Sequence, residues 1–412
     1  MALEALDLDH VGPFEHVELT FPAGSDPDRA DVHLLVGPNG CGKSTLLSAI
    51  GQLATPQDTG FSRRLRPGGW AAGAFASRWT GVGGSGPGLV FPGSKPRNGL
   101  GVHGRRSRES LTWWGADSWA DGPLVIGAGA LRNSSRSRVT GVVHQEDDAR
   151  QLAPVLDRPE GLKPVAQWIV NTLAAQAMAD RRGDPVASAS RRAVIATLEA
   201  ILSEITEKPV TLDTLDDWAL AMRIDGGLVP IESLADGLQS ILAFVGDVMM
   251  RLDRVPAASG QAPHLRPFVL LLDEVEVHLH PAWQRRVLPV VERAFPNAQI
   301  IAATHSPFVI GSAADAWVHR LRIDGDGRVT VDPPIRAPLG TSQSEILRDL
   351  MGVTSEFDVA SEQWLTELDA ALTREDRSAV DGLAARLTAR GVELAEIAAY
   401  KIRTHRRART VR

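Results

Sequence analysis

The chain has 412 residues, of which 43% are hydrophobic and 23% are charged. This length allows two or three domains, or one large domain with insertions, and the apolar fraction supports a sizeable core. The net charge of −6 argues against a wholly basic nucleic-acid binder. The single cysteine, Cys41, excludes an intrachain disulfide and favours a reducing cytoplasm. The first residues are partly acidic and contain no long apolar run, so we expect neither a signal peptide nor a membrane span.

The first element predicted from the sequence is a β-hairpin. Apolar and polar residues alternate from Leu6 to Phe21 around the turn-forming pair Gly12-Pro13. The next apolar run, from Val32 to Val36, predicts a buried strand.

A phosphate-binding loop follows that strand. Residues 37–45 read GPNGCGKST, which matches G-x-x-x-x-G-K-S/T, and a helical apolar pattern begins directly after them. Glycines allow successive N–H groups to face an anion, and a helix start adds partial positive charge. Lys43 is expected to reach the β- and γ-phosphates, and the Ser44 hydroxyl to ligate Mg²⁺. The predicted nucleotide-binding residues are Gly37, Pro38, Asn39, Gly40, Cys41, Gly42, Lys43, Ser44 and Thr45.

Residues 60–123 have an unusual composition. They are rich in glycine and tryptophan, and between positions 61 and 110 they contain nine Lys and Arg residues and one acid. Short strands are predicted at Gly88–Phe91 and Ser110–Trp114, as an extension of the antiparallel sheet. Basic residues among aromatics are typical of DNA contact. The glycine content instead favours a mobile, solvated insertion.

Residues 160–206 predict a short helical lobe. Apolar residues recur at helical spacing in two stretches, which Gly183-Asp184-Pro185 separates. The lobe is too short for a long coiled-coil arm and has no sustained heptad pattern.

Two acidic residues end a second buried strand. Phe268 to Leu272 are all apolar, which is typical of a strand covered on both faces, and Asp273 and Glu274 follow. The carboxyl end of such a strand is where α/β folds place ligands. We expect Asp273 to hold Mg²⁺ and Glu274 to polarise the attacking water. A third buried strand is predicted to end just before His305, which we place beside the γ-phosphate as a switch residue.

These blocks resemble those of ABC-type AAA ATPases. Residues 271–286 read LLDEVEVHLHPAWQRR and are similar to the family's D-E-P-E-x-H-L-H-P-x-x-Q block, and ATHSP at 303–307 resembles another. Val275 replaces the family's usual proline, which we expect to alter only the rigidity of the turn. The resemblance, which extends to relatives of the RecF, SMC, Rad50 and OLD ATPases, implies an α/β fold of the P-loop NTPase, ABC-ATPase type. That fold has a mostly parallel core sheet flanked by helices, an N-terminal antiparallel β subdomain and a short helical lobe.

The resemblance also implies a signature loop that reaches a partner subunit's nucleotide. Residues 233–240 read SLADGLQS and are similar to the L-S-D-G-x-x-S form of that loop. Leu234, Asp236 and Gly237 are the contacts implied in trans. Ala235 replaces the family's serine, so either Ser233 substitutes for it or the sandwich is weaker. Without the resemblance, the same residues would be an ordinary helix N-cap.

Two further family features have candidates in this chain. Ala128 to Arg132 resemble a family Y-G-A-x-R turn without its tyrosine, and Gln145 is the candidate for the Q-loop glutamine. A hairpin is predicted from Trp317–Arg322 and Arg328–Val331. We read the D-x-D between these strands as a turn and not as a Toprim metal site.

The C-terminal part, residues 342–401, is predicted to be helical and is followed by a basic tail. The tail is suited to phosphates or an acidic partner, or to keeping the chain soluble. The expected domains are 1–59 with the P-loop, the 60–123 insertion, 124–159, the helical lobe at 160–206, the second part of the ATPase core at 207–335, and 336–412.

The resemblance implies a cytoplasmic ATPase that uses ATP and Mg²⁺ as a homodimer or a higher homo-oligomer. Short-armed members without their own nuclease domain resemble components of anti-phage systems, such as the Septu ATPase, which works with an HNH nuclease. We therefore expect this chain to control an effector nuclease encoded nearby. The alternative is a RecF-like repair ATPase that acts directly on DNA. A transporter ATPase is disfavoured by the D-E-x-E-x-H-L-H-P form.

Overall fold

A computed structural model gives the fold. It describes residues 2–53, 162–215, 218–255, 261–338 and 340–353, the short stretches 74–79, 88–90, 112–114 and 124–129, and parts of 363–389. The chain divides into two compact units, residues 1–351 and 352–412. Gln145, most of the 60–123 insertion and the basic tail lie outside the described residues, so the predictions made for them stay predictions.

The secondary structure alternates strands and helices. The described strands, in chain order, are β1 (Leu3–Val11), β2 (Phe14–Thr20), β3 (Asp31–Val36), β4 (Ala74–Trp79), β5 (Gly88–Val90), β6 (Thr112–Trp114), β7 (Val125–Ala128), β8 (Val210–Thr214), β9 (Leu220–Ile224), β10 (Gly227–Pro230), β11 (Phe268–Asp273), β12 (Ala298–Ala303), β13 (Trp317–Ile323), β14 (Val329–Val331) and β15 (Ile335–Arg336). The described α-helices are α1 (Lys43–Leu53), α2 (Lys163–Arg182), α3 (Pro185–Thr206), α4 (Asp236–Arg254), α5 (Pro281–Ala294), α6 (Pro307–Ser312), α7 (Gln343–Asp349) and α8 (Arg377–Ala389).

A seven-stranded, mostly parallel sheet forms the centre of the first unit. Its order is β14-β13-β3-β12-β11-β7, with β15 beside β13. The four neighbouring pairs from β13 to β7 are parallel, whereas β14 and β15 are antiparallel to β13. Every residue of β11 and β12 is buried. Alternate side chains enter two different apolar clusters, so both faces of these strands are covered, as their uniform hydrophobicity predicts.

A second, antiparallel sheet covers one face together with α1. Its order is β2-β1-β4-β5-β6. The predicted N-terminal hairpin and the extension of its sheet by two short strands are confirmed, while β4 was not predicted. This sheet and α1 share an apolar cluster with one face of β3, β11 and β12. The cluster fixes the β1–β2 turn beside the loop that follows β3.

The helical lobe covers the other face. The predicted break is confirmed: Gly183 ends α2 in a left-handed conformation, and Asp184 caps α3 by accepting the N–H of Ala187 at 3.0 Å. Helix α4 packs its apolar stripe into the same cluster. A small sheet, β10-β9-β8, follows α3 and was not predicted. None of the helices in the described ranges combines the length and the hydrophobicity that a membrane span requires.

The D-x-D between β13 and β14 forms a turn, as predicted. The Asp324 carboxylate accepts the backbone N–H groups of Asp326 at 3.0 Å and Arg328 at 2.8 Å. These bonds close the hairpin in the way that aspartate typically closes tight turns.

Two buried histidines form a pair in the core, one of them on the strand that precedes the P-loop. His33 on β3 and His319 on β13 approach to 3.2 Å, from Nδ1 to Nε2, and the ring of Phe21 packs against both. Burial lowers the pKa of His319 to about 4, and it also lowers the pKa of His33 well below its ordinary value. Both rings are therefore neutral at pH 7, and the pair adds no charge to the core.

Candidate nucleotide site

Sheet topology brings three loops to one edge. Strand β12 lies between β3 and β11 and is parallel to both, with Ala303 in register with Leu35 on one side and with Asp273 on the other. The carboxyl ends of parallel strands meet at the same edge. The P-loop after β3, the acids at the end of β11 and His305 after β12 therefore share that edge. The structure thus brings together the predicted residues that one subunit supplies to its own nucleotide, called here the cis half of the site.

The P-loop is held partly by its own lysine. The ammonium of Lys43 donates to the carbonyl oxygens of Gly37 at 2.8 Å and Pro38 at 3.0 Å. Pro38, Asn39 and Gly40 are exposed, whereas Lys43 is 6% exposed. The loop therefore presents its backbone to solvent while the cation lies within it.

Cys41 faces inwards from the same loop. Burial raises the pKa of its thiol, and the ammonium of Lys43, which lies 3.8 Å from Sγ, opposes that shift. The side chain packs with the apolar cluster under α1. Its role in the loop is therefore one of packing, and any contact with a nucleotide would come from its backbone.

The turn of the N-terminal hairpin packs against Gly42. Its φ is +94°, a conformation that favours glycine. A Cβ at this position would lie 2.6 Å from Pro13 Cγ and 2.6 Å from Phe14 Cζ. The motif glycine is thus required by the β1–β2 turn as well as by backbone conformation. The N-terminal sheet and the P-loop form one packed unit.

The chain bends sharply after Asp273. Asp273 is 5% exposed at the end of β11, and Glu274 follows with a φ of +50° and a half-buried side chain. Left-handed backbone is uncommon outside glycine and persists where the surroundings hold it in place. The bend turns the chain away from the strand direction at the residue predicted to act on water.

His305 lies in the electrostatic field of the other site residues. Burial lowers the pKa of its imidazole, and the charge of Lys43 lowers it further. The carboxylates of Glu276, Glu274 and Asp273 oppose this shift. These interactions show that His305 lies near both the P-loop cation and the acids of β11. Its lowered pKa keeps the ring neutral at pH 7.

A hydrogen-bond network that the sequence did not reveal holds the segment from Thr304 to Ser306, called here the switch turn. The hydroxyl of Thr304 donates to Glu276 Oε2 at 2.8 Å, and the backbone N–H of His305 donates to Glu276 Oε1. The hydroxyl of Ser306 donates to Gln284 Oε1 at 2.6 Å. The sequence does contain one signal for this network, which is Glu276, an acid two positions after Glu274 in the block at 271–286.

Ser306 also caps helix α6. Its Oγ accepts the N–H groups of Phe308 at 3.1 Å and Val309 at 3.3 Å. Gln284 in turn donates to the carbonyl of Leu279 at 2.9 Å. The switch turn is thus tied at one end to the segment after β11 and at the other to α5 and α6.

The segment from Leu234 to Gly237, called here the signature turn, is built differently. Helix α4 begins after Ala235, whose side chain makes no capping bond, and Ala235 and Asp236 are exposed. Leu234 is buried, and its carbonyl accepts Gln239 Nε2 at 2.8 Å. A Cβ on Gly237 would lie 2.9 Å from the carbonyl of His278. The turn therefore packs on the segment that follows Asp273 while its polar start faces solvent.

The residues at this edge fit ATP with Mg²⁺. The described ranges contain no group of three or more His, Cys, Asp or Glu side chains able to hold a metal by themselves. Mg²⁺ at nucleotide sites takes one or two protein ligands and completes its shell with water and phosphate oxygens. Ser44 at the start of α1 and the buried carboxylate of Asp273 supply such a small set.

Two family models match separate parts of the chain. A model described as "AAA domain, putative AbiEii toxin, Type IV TA system" matches residues 200–311, and one described as "AAA domain" matches residues 1–57. These ranges contain the P-loop, the signature turn, the β11 acids and the switch turn.

Among curated proteins, Septu protein PtuA of Bacillus thuringiensis is 22% identical over 92% of this chain and 91% of its own length. The Retron Vc95 probable ATPase of Vibrio cholerae serotype O1 biovar El Tor is 31% identical over 30% of this chain and 24% of its own length. The Septu match therefore extends along nearly the whole chain, and the retron match is local.

Among solved structures, an Smc head domain derived from Pyrococcus furiosus, with an extended coiled coil and bound to the C-terminal domain of ScpA, aligns with a TM-score of 0.47. It is 14% identical and covers 81% of this chain and 96% of that one. The SMC head domain from Thermotoga maritima aligns with a TM-score of 0.43 at 14% identity, over 81% of this chain and 99% of that one. The chain thus carries the sequence motifs of ABC-type AAA ATPases and is similar to the Septu protein PtuA over nearly its whole length and to a retron ATPase over part of it.

Proposed function

We propose that the protein binds and hydrolyses ATP in a nucleotide-sandwich dimer and thereby controls a partner nuclease in anti-phage defence. The observation that carries the proposal is the meeting of Lys43, Asp273, Glu274 and His305 at the ends of three adjacent parallel strands. Each of these residue types matches one requirement of phosphoryl transfer. The similarity to PtuA and to a retron ATPase supports the assignment to defence.

The cis half of the site would bind the triphosphate through the P-loop. The exposed residues Asn39 and Gly40 offer backbone N–H groups, and the start of α1 adds partial positive charge. Lys43 would exchange its two carbonyl acceptors for phosphate oxygens, and hydrogen bonds between charged partners are the stronger kind. Ser44 and Asp273 would hold Mg²⁺, which neutralises phosphate charge when it is bound.

Glu274 and His305 would act at the γ-phosphate. Glu274 lies beyond the end of β11 and is half-buried, so its carboxylate can accept a proton from an attacking water. His305 is neutral at pH 7 and retains one ring N–H as a hydrogen-bond donor. Its position in the switch turn makes it suited to report whether the γ-phosphate is present.

The signature turn would complete the site of a second copy. In this arrangement each subunit supplies the start of α4 to the nucleotide of its partner, so two ATP molecules join two subunits. Hydrolysis would then release them, and the cycle would time a conformational change in the nuclease partner.

Two variants of the purified protein test the enzymatic part. Lys43→Ala should abolish ATP binding, measured by calorimetry. Glu274→Gln should bind ATP normally but release phosphate at least about 100-fold more slowly. Lys208→Ala is a matched control, because Lys208 is an exposed lysine paired with Asp225 away from the P-loop. Hydrolysis by Glu274→Gln at the parental rate would show that Glu274 is not the base.

The partner is tested by co-expression with the product of the adjacent open reading frame. We expect the two proteins to co-purify and nuclease activity to depend on the nucleotide state, so that Glu274→Gln holds the complex in one state. Full defence by this chain alone would contradict the proposed partner. DNA binding by the purified chain that weakens steeply with salt would favour the RecF-like alternative.

A further inference from the structure

The site contains two glutamates, and the structure gives them different surroundings. Glu274 follows β11 directly in a left-handed conformation. Both carboxylate oxygens of Glu276 instead accept hydrogen bonds from the switch turn, one from the hydroxyl of Thr304 and one from the backbone N–H of His305. These bonds span 28 and 29 residues of sequence, so they join two separate loops of the site.

Both oxygens of the Glu276 carboxylate are used to hold the switch turn. A carboxylate that accepts a backbone N–H and a hydroxyl at once is fixed in position and in orientation. Thr304 is fully buried, and its Oγ1 also accepts the N–H of Ser306 at 3.0 Å. The backbone on both sides of His305 is thus set by a chain of bonds that begins at Glu276.

We propose that Glu276 is a positioning residue that acts through His305, holding the switch turn against the end of β11 so that the imidazole faces the γ-phosphate site. This inference rests on the proposed hydrolysis of ATP. It assigns water activation to Glu274 and the placement of the γ-phosphate sensor to Glu276.

A double-mutant cycle in kcat tests the inference. Glu276→Ala should lower kcat about 30-fold and leave the KM for ATP within about twofold, because the P-loop is untouched. In a His305→Ala background, the same substitution should change kcat by less than about twofold, since its effect requires the imidazole. If the two substitutions lowered kcat independently, so that their fold-changes multiplied in the double variant, the inference would be overturned.

Conservative variants supply a second measurement if Glu276→Ala folds poorly. Thr304→Val removes one of the two donors to Glu276 and should lower kcat, while Thr304→Ser retains the hydroxyl and should restore most of it. Glu276→Gln keeps one acceptor oxygen and should have a milder effect than Glu276→Ala. Equal activity of Thr304→Val and Thr304→Ser would overturn the inference.

Glu199→Ala is the matched control for these variants. The Glu199 carboxylate also accepts a backbone N–H, that of Leu212 at 2.6 Å, but this bond joins the helical lobe to β8. Its removal should leave kcat within about twofold of the parent. If Glu199→Ala lowered kcat as much as Glu276→Ala, the effect would be general loosening, and the inference would fail.

Amide hydrogen exchange separates this inference from the proposed function. In the nucleotide-free protein, Glu276→Ala should raise the exchange rate of the His305 amide at least about tenfold, with β12 still protected. Absence of Lys43-dependent hydrolysis in the parent would refute the proposed function alone. Unchanged exchange of the His305 amide in Glu276→Ala would refute the positioning role alone.

Discussion

The switch turn and the signature turn both precede a helix, but only in the first do side chains accept backbone N–H groups at the start of the helix and before it. In the switch turn, Ser306 caps α6 and the flanking backbone is bonded to Glu276. In the signature turn, α4 starts at Asp236, the preceding Ala235 provides no side-chain cap, and this polar start is exposed. The difference indicates that the switch turn is completed within one chain. The signature turn still has N–H groups to offer, as the proposed contact with a partner's phosphate requires.

One segment connects the two turns. Between β11 and α5, Glu276 binds the switch turn, while the carbonyl of His278 lies where a side chain on Gly237 would have to be. A displacement of this segment would therefore reach both turns. In a sandwich dimer, this contact would couple the γ-phosphate sensor of one site to the surface that the same subunit presents to the other.

The largest expected effect comes from separating the cis and trans halves. Glu274→Gln disables the cis half, and Ala235→Glu places an anion at the exposed start of α4. Each variant alone should lose at least about 100-fold in kcat. Mixed in equal amounts, they should recover about a quarter of the parental rate, since half of the dimers would contain one intact site. Phosphate release from the mixture measures this recovery.

The matched control combines two defects in the cis half. A mixture of Glu274→Gln and Lys43→Ala leaves every composite site defective and should recover nothing. If this control recovered as well as the first mixture, subunit exchange would not be the cause. If the first mixture stayed inactive, the signature turn would not act in trans.

The next effect concerns the closure of the switch turn itself. Ser306→Ala removes the cap of α6 and the bond to Gln284, which should cost about 1 to 2 kcal/mol in the free energy of unfolding. We also expect kcat to fall about tenfold, because the backbone after His305 is released. Chemical denaturation and phosphate release measure the two effects. Ser190→Ala, at an exposed position in α3, is the control, and an equal loss there would contradict a specific role of the Ser306 cap.

Much of this fold could be predicted because single stretches of sequence determine it locally. The uniform hydrophobicity of β11 and β12 predicts burial on both faces, and Gly183-Asp184-Pro185 predicts the break between α2 and α3. The small sheet of β8, β9 and β10 was missed. Its third strand is only four residues long and is largely exposed, so it carries little periodic signal.

The contacts that complete the candidate site are long-range, and no local pattern reveals them. In the sequence, Glu276 is one of several acids in a turn, and its contact with Thr304 becomes evident only when β12 lies beside β11. The packing of Pro13 and Phe14 on Gly42 likewise depends on the position of the N-terminal sheet. Sequence therefore identifies residue types suited to the chemistry, while the tertiary structure identifies the residues that hold them in place.

A smaller effect should come from restoring a cap to the signature turn. Ala235→Ser supplies the hydroxyl that the family usually has, and it should raise the free energy of unfolding by about 1 kcal/mol. The same hydroxyl should tighten ATP-dependent dimers of the Glu274→Gln protein, measured by analytical ultracentrifugation. Ala235→Gly separates the two effects, because glycine is also favoured at this position but brings no donor. A dimer tightened equally by both substitutions would argue against a contact between the hydroxyl and phosphate.

The smallest expected effect is a change in the titration of His305. Burial and Lys43 lower the pKa of the imidazole, whereas the Glu276 carboxylate favours the protonated form and raises it. Glu276→Gln removes that negative charge, so the pKa should move further down, and Lys43→Ala should move it up. Proton NMR of the nucleotide-free protein measures both shifts, and His305→Gln identifies the imidazole resonance by its disappearance. A His305 pKa that is insensitive to both Glu276 and Lys43 would show that the switch turn is not held beside the P-loop. The switch turn could then no longer be described as completed within one chain, and its contrast with the signature turn would fail.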